Sequence, residues 1–150
     1  MGWGNSSNGR LDIPDDLTGV VEVAGGRSHT MILKDDGTVE AWGYNNSGQA
    51  NVPEDLTDVI SISAGYHHSL ALKSDGTVVT WGRNNYGQTD VPADLTDVVA
   101  IDAGYDHIVA LKSDGTVVGW GRNNNGQLNI PVDLTNVVAI SASGDGHTLA

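Results

Sequence analysis

Trp3, Trp42, Trp81 and Trp120 stand 39 residues apart, and nothing else in this 150-residue chain restricts its fold as tightly. The prolines keep the same step (Pro14, Pro53, Pro92, Pro131), as do Gly9, Gly48, Gly87 and Gly126. Leu17, Leu56, Leu95 and Leu134 follow it, each inside an Asp-Leu-Thr triplet. His29, His68 and His107 hold the register, and His147 arrives one residue late. A period near 40 with several short strands per unit marks a propeller or a related array, whose units bury their apolar faces against one another. The copies use the whole chain, so residues 1–150 read as one domain with no room for a linker.

One copy shows how the strands fall. Residues 59–65, VISISAG, are β-branched and alternating. In residues 67–73, HHSLALK, neither face is strongly polar before Lys73, so this strand is expected to be covered on both sides. Asp75-Gly76 then signals a hairpin, with positive φ expected at both turn residues. Residues 77–82, TVVTWG, give a third strand. NNYGQ turns the chain into a short fourth strand ending at Val91-Pro92, where a residue without an N–H suits a blade edge. The fold class is all-β: propeller blades of four antiparallel strands, four 39-residue repeats per chain. Twenty glycines and no Phe agree with many tight turns and a core of Val, Ile, Leu, Ala and Trp.

Several function classes fall away. With no Cys there is no disulfide, thiolate zinc site or thiol nucleophile. A net charge of −12 opposes nonspecific binding to DNA, RNA or anionic lipid. No apolar run approaches the roughly 20 residues that span a bilayer, and the N-terminus lacks signal-peptide regions. The chain reads as soluble; its compartment stays open, and secretion would require a signal removed upstream. Histidines at one register invite a metal, but blades radiate from an axis and hold equivalent residues apart, whereas zinc needs nitrogen ligands within about 2.1 Å. His29, His68, His107 and His147 are therefore read as structural, each hydrogen-bonded to backbone near its own blade. Trp3, Trp42, Trp81 and Trp120 are read as packing between blades. His67, His68 and Ser69 cannot form a triad, because adjacent strand residues point to opposite faces. No cofactor, metal or catalytic residue is assigned, and the chain is not read as an enzyme.

The stretch AGYHHSLALKSDGTVVTWGRNNYGQ (64–88) and its counterparts at 103–127 and 25–49 resemble the repeats of the regulator of chromosome condensation family. The short spacing and the VP-x-D-L linker are similar to the compact bacterial form seen in the propeller-type β-lactamase inhibitor protein. The resemblance implies protein-binding blades, usually seven to a ring. Some members are nucleotide exchange factors, an activity that depends on an inserted wedge; no insertion here exceeds one residue, so exchange is not carried over. The last unit stops at HTLA (147–150) and the first begins at MGWG, so one hairpin separates the two ends of a blade. Three closures follow: a four-bladed ring in one chain, an eight-bladed ring made by two, or part of a longer propeller. The reading favours a homodimer paired through blade edges.

The copies differ where an up-and-down blade would place one rim. The loop after strand one carries Arg27-Ser28, Tyr66-His67, Tyr105-Asp106 and Gly144-Asp145. The loop after strand three carries Asn5, Tyr44, Arg83 and Arg122, with Tyr86 nearby. The opposite rim collects all three lysines and most carboxylates, among them Asp15, Asp16, Glu54, Asp55, Asp58, Asp94 and Asp97. Tyr and Arg offer rigid area and directional donors, which suits interface hot spots. The expected function is a non-enzymatic protein-binding scaffold using Arg27, Tyr44, Tyr66, His67, Arg83, Tyr86, Tyr105, Asp106 and Arg122. The alternatives are a structural, self-assembling propeller fragment or an enzyme inhibitor of the β-lactamase-inhibitor type.

Overall fold

Three of the repeats fold as three-stranded antiparallel sheets with their strands in chain order. The computed structural model describes residues 1–144 and 146–150, so the Asp145 loop position lies outside the described residues. The first sheet holds β1 (Val20–Gly25), β2 (His29–Lys34) and β3 (Val39–Gly43). The second holds β4 (Val59–Ala64), β5 (His68–Lys73) and β6 (Val78–Gly82). The third holds β7 (Val98–Ala103), β8 (His107–Lys112) and β9 (Val117–Gly121). The last repeat supplies a two-stranded sheet, β10 (Ser141–Ala142) with β11 (Thr148–Leu149). β5 is buried from His68 through Leu72 and β8 from His107 through Leu111, because each is the middle strand of a sheet packed on both faces.

The core lies between blades. Met31, Leu33 and Val39 of the first sheet close on Val59, Ile62, Ala71 and Trp81 of the second. One period later, Leu70, Leu72 and Val78 close on Val98, Ile101, Ala110 and Trp120. Fully burying a Val, Leu, Ile or Met side chain stabilises by about 1.5–3 kcal/mol, so each junction is worth far more than any single turn. Trp81 Nε1 donates to the Gln49 carbonyl at 3.0 Å and Trp120 Nε1 to the Gln88 carbonyl at 3.1 Å. Each ring thereby fills a junction while its polar edge is tied to the preceding repeat.

Two expectations need correction. The fourth strand is absent from the described repeats, because local bonds consume its backbone donors: Tyr86 N donates to Gln88 Oε1 (2.8 Å), Thr89 N to Asn84 Oδ1 (2.9 Å) and Asp90 N to the Gly87 carbonyl (3.1 Å). The hairpins carry positive φ only at Gly37, Gly76 and Gly115, and the preceding Asp instead accepts from a Thr amide, as Asp75 Oδ1 does from Thr77 at 2.9 Å. Such a turn ends in a single left-handed residue, so one glycine suffices. Sequence reading also missed three left-handed residues at the register of Gly19, namely Asp58, Asp97 and Asn136, near φ +59°. Asp and Asn tolerate that region best after Gly.

The ends differ from the middle. Trp3 is 87% exposed, against 8% and 7% for Trp81 and Trp120, and residues 1–6 join no ladder. The lone-chain ring, in which GWG would pair beside HTLA, is therefore not the arrangement seen here. Trp42 is only part-buried, although its Nε1 keeps the carbonyl bond, to Arg10 at 3.2 Å.

Candidate protein-binding face

The two variable loops of each blade are hydrogen-bonded to one another. Tyr44 N donates to the Ser28 carbonyl (2.8 Å), Arg83 N to His67 (2.8 Å) and Arg122 N to Asp106 (2.9 Å). Adjacent blades are joined at the same level, Arg27 N to the Gly65 carbonyl (3.3 Å) and Tyr66 N to the Tyr105 carbonyl (3.1 Å). The loop end is thus a continuous backbone platform on which side chains from successive blades meet.

What they form is a stack. The Arg27 guanidinium lies over the Tyr66 ring, 4.2 Å from its centroid, and the Tyr66 and Tyr105 rings are 3.9 Å apart. His67 stands edge-on to Tyr66 at 4.3 Å and beside Tyr44 at 5.1 Å. Arg122 lies 5.2 Å from the Tyr86 centroid in a second group. Arg83 links the two: its charge opposes protonation of His67 and favours the ionised form of Asp106. With the Asn85 amide turned to accept, its oxygen receives Arg83 Nε and Nη2 at 3.1 and 3.0 Å. Burial, then Arg83 and Arg27, hold His67 below the usual imidazole range.

Asp106 differs from the other residues expected to make contact. Its side chain is 2% exposed, with Oδ1 accepting from Gln88 Nε2 at 3.1 Å and Oδ2 lying 3.8 Å from Arg122 Nη1. Burial pushes its carboxyl up against the opposing pull of the two arginines. It braces the loop from within and offers little surface to a partner.

The bracing residues are ones the sequence reading passed over. Gln49 and Gln88 are fully buried; each accepts a loop amide through Oε1 and reaches the next blade through Nε2, to His67 Nδ1 (3.1 Å) and to Asp106. Arg10 occupies the same register and donates to the Arg27 carbonyl at 2.6 Å. The signal was present: Gln49, Gln88 and Gln127 keep the 39-residue step beside the glycines. Gly26, Gly65 and Gly104 are needed for space, because a Cβ on Gly65 would sit 2.1 Å from the His68 ring and 2.6 Å from the Gly104 carbonyl.

Two of the repeated histidines, His29 and His107, reach across blade junctions instead of bonding their own backbone. His29 Nε2 pairs with Ser69 Oγ at 2.9 Å, and Ser69 Oγ donates on to the Gln49 carbonyl. His107 Nε2 lies 3.3 Å from Thr148 Oγ1, which donates to the Gln127 carbonyl. Ile108 holds the corresponding place in front of His68, and both nitrogens of that buried ring lack a partner. Burial, reinforced by neighbouring imidazoles, lowers His29 to about 4 and His68 to about 3. His147 is exposed. Among the described residues no three His, Asp or Glu gather to hold a metal, and no helix is long and apolar enough to cross a membrane.

The family model described as the Regulator of chromosome condensation (RCC1) repeat matches residues 20–49, 59–88 and 98–127, together more than half of the chain. No curated protein matches the sequence at a significant level. A yeast structure described as Kap60 bound to RCC1 (Prp20) is similar at 27% identity and TM-score 0.68, covering 83% of this chain and 40% of that one. Prp20p from Saccharomyces cerevisiae is similar in fold, with 21% identity, TM-score 0.77, and coverage of 95% and 49%. The receptor kinase CR4 ectodomain of Physcomitrella patens gives 22% identity and TM-score 0.69, covering 83% and 36%. The chain spans less than half the length of these structures. It belongs to the RCC1 repeat family, and its repeats are β-propeller blades of that type.

Proposed function

We propose that the chain is a non-enzymatic protein-binding scaffold whose contact surface is the loop face, with Arg27, Tyr44, Tyr66, Arg83, Tyr86 and Tyr105 toward the partner. The observation that carries this reading is the stack of Arg27, Tyr66 and Tyr105, drawn from three successive blades onto a uniformly bonded platform. Aromatic and Arg side chains held rigid before binding lose little entropy on binding, which is what an interface centre needs. Two similar structures are described by their protein partners: Kap60 for one, Gsp1p and histones for the other. What transfers from them is the kind of partner, a protein, and not its identity; a β-lactamase remains one case of an enzyme target. The test is affinity capture with three baits: the unaltered chain, Tyr66→Ala/Tyr105→Ala, and Lys73→Ala at the opposite rim. Partners retained by the first and third and lost by the second support the reading, whereas equal retention by all three contradicts it.

A second reading is self-association through the open side of the first blade. Val20 and Val23 are 39% and 65% exposed there, while Val59 and Ile62, one period on, are both 4% exposed. With Ile13, Leu17, Ile32 and Trp42 they line a groove of about 520 Å³. Its occupant on this reading is the last blade of a second copy, each HTLA strand joined to the other chain's GWG strand, which makes an eight-bladed ring. Leu149, 63% exposed where Met31, Leu70 and Val109 are fully buried, is the matching open side. Light scattering is expected to give a dimer that dissociates when residues 1–4 are deleted. A stable monomer at micromolar concentration contradicts it.

A further inference from the structure

Charge divides the molecule in a way its net value conceals. At the hairpin end the lysines sit beside carboxylates: Lys34 is bonded to Glu40, Lys112 lies 4.0 Å from Asp114, and Lys73 acts on Asp75. At the loop end three arginines converge. Among the described residues Arg27 and Arg83 make no ion pair, and Arg122 has only the buried Asp106 at 3.8 Å. Six-residue strands rising about 3.3 Å per residue put roughly 20 Å between the two ends. That is more than twice the Debye length of about 8 Å at physiological salt, so the hairpin-end carboxylates act weakly here. The nearer ones are Asp106, which is buried, and Asp102, whose oxygens accept from Ser63, Ala103 and Ala142.

Beside the stack is a hollow of about 480 Å³ lined by glycines, among them Gly25, Gly26, Gly65 and Gly104, and by the small Ala64 and Ala103, together with Arg27, Tyr66 and Tyr105. A floor of glycine and alanine, with no side chain longer than a methyl, admits a main chain closely. The guanidinium over Tyr66 keeps its edge N–H groups free, and a planar fork of that kind matches a carboxylate.

Resting on the protein-binding reading above, we infer that the partner docks an extended acidic segment here. Its backbone crosses the glycine floor, its carboxylates meet Arg27 and Arg83, and an apolar or planar side chain covers Tyr66 and Tyr105. A nucleic acid fits less well, because its affinity grows with the number of phosphates neutralised and only three arginines converge here.

The test is an NMR titration of the full chain with four probes: three short peptides sharing one Tyr-containing frame but carrying Glu, Gln or Lys, and an oligothymidylate. The Glu peptide is expected to shift the Gly26, Gly65 and Gly104 amides saturably. Its affinity should fall about tenfold in Arg27→Gln/Arg83→Gln, and should fall further with added salt. An unchanged thermal midpoint shows that this variant is folded, and Arg27→Gln alone is the fallback. If the Gln or Lys peptide binds there as well as the Glu peptide, the acidic inference is overturned while a protein-binding face stands. Preference for oligothymidylate, or no shift with any probe, overturns both.

Discussion

The loop end and the hairpin end of these blades are equally regular in backbone and opposite in side chains. At the hairpin end every repeat uses one solution. The backbone amides of Lys34, Lys73 and Lys112 each donate to a Thr carbonyl at 2.9 Å, and the turn docks on the left-handed residue of its linker, as Ser74 N does on the Asp58 carbonyl. At the loop end the bonds between the two loops repeat just as closely, between 2.8 and 2.9 Å. Yet the side chains there read Arg27-Ser28, Tyr66-His67 and Tyr105-Asp106. Loops vary freely where backbone is slack, and this backbone is not slack: buried Gln49 and Gln88 and the close-packed glycines hold it. Variation on a fixed platform is what a recognition surface requires.

Acid should separate the two ends, with the largest expected effect. His29 and His68 stand at the loop end with pKa values of about 4 and about 3, below the unfolded value near 6.5. Both are stable there only when neutral, so their contribution is complete above pH 6.5 and is lost as pH falls toward 4 and 3. At about 1.4 kcal/mol per unit, the sum reaches several kcal/mol. The hairpin carboxylates Asp36, Asp75 and Asp114 are lowered by their Thr hydrogen bonds, so they fail only below their ordinary value of 3.8. Hydrogen exchange, corrected for intrinsic rates, should show Gly65 and Tyr66 losing protection between pH 6.5 and 4 while Gly76 and Thr77 hold. The reverse order would break the comparison.

Much of this contrast was legible in the sequence. The 39-residue step of Trp, Pro and His gave the repeats, and the alternation in residues 59–65 and 67–73 gave the strands. The Tyr/Arg loops were legible as a set because copies can be compared within one chain. Long-range geometry was not legible. The path from His29 to Ser69 crosses a blade junction, and nothing local distinguishes a hydroxyl at Ser69 from the Ile108 that leaves His68 without a partner. The missing fourth strand depended on Asn84 and Gln88 drawing backbone donors away from a ladder, a competition that strand patterning does not register.

The most direct test of whether the Arg–Tyr stack serves a partner or holds the fold together is urea unfolding of Arg27→Ala/Tyr66→Ala/Tyr105→Ala against the unaltered chain. One aromatic pair and one cation–π contact at a surface are together worth no more than about 2.5 kcal/mol. The expected result is a loss within that range with an unchanged denaturant slope. A loss of about 4 kcal/mol or more, the size of a core truncation, would mean that the stack is a structural staple of the blades and not a surface reserved for a partner.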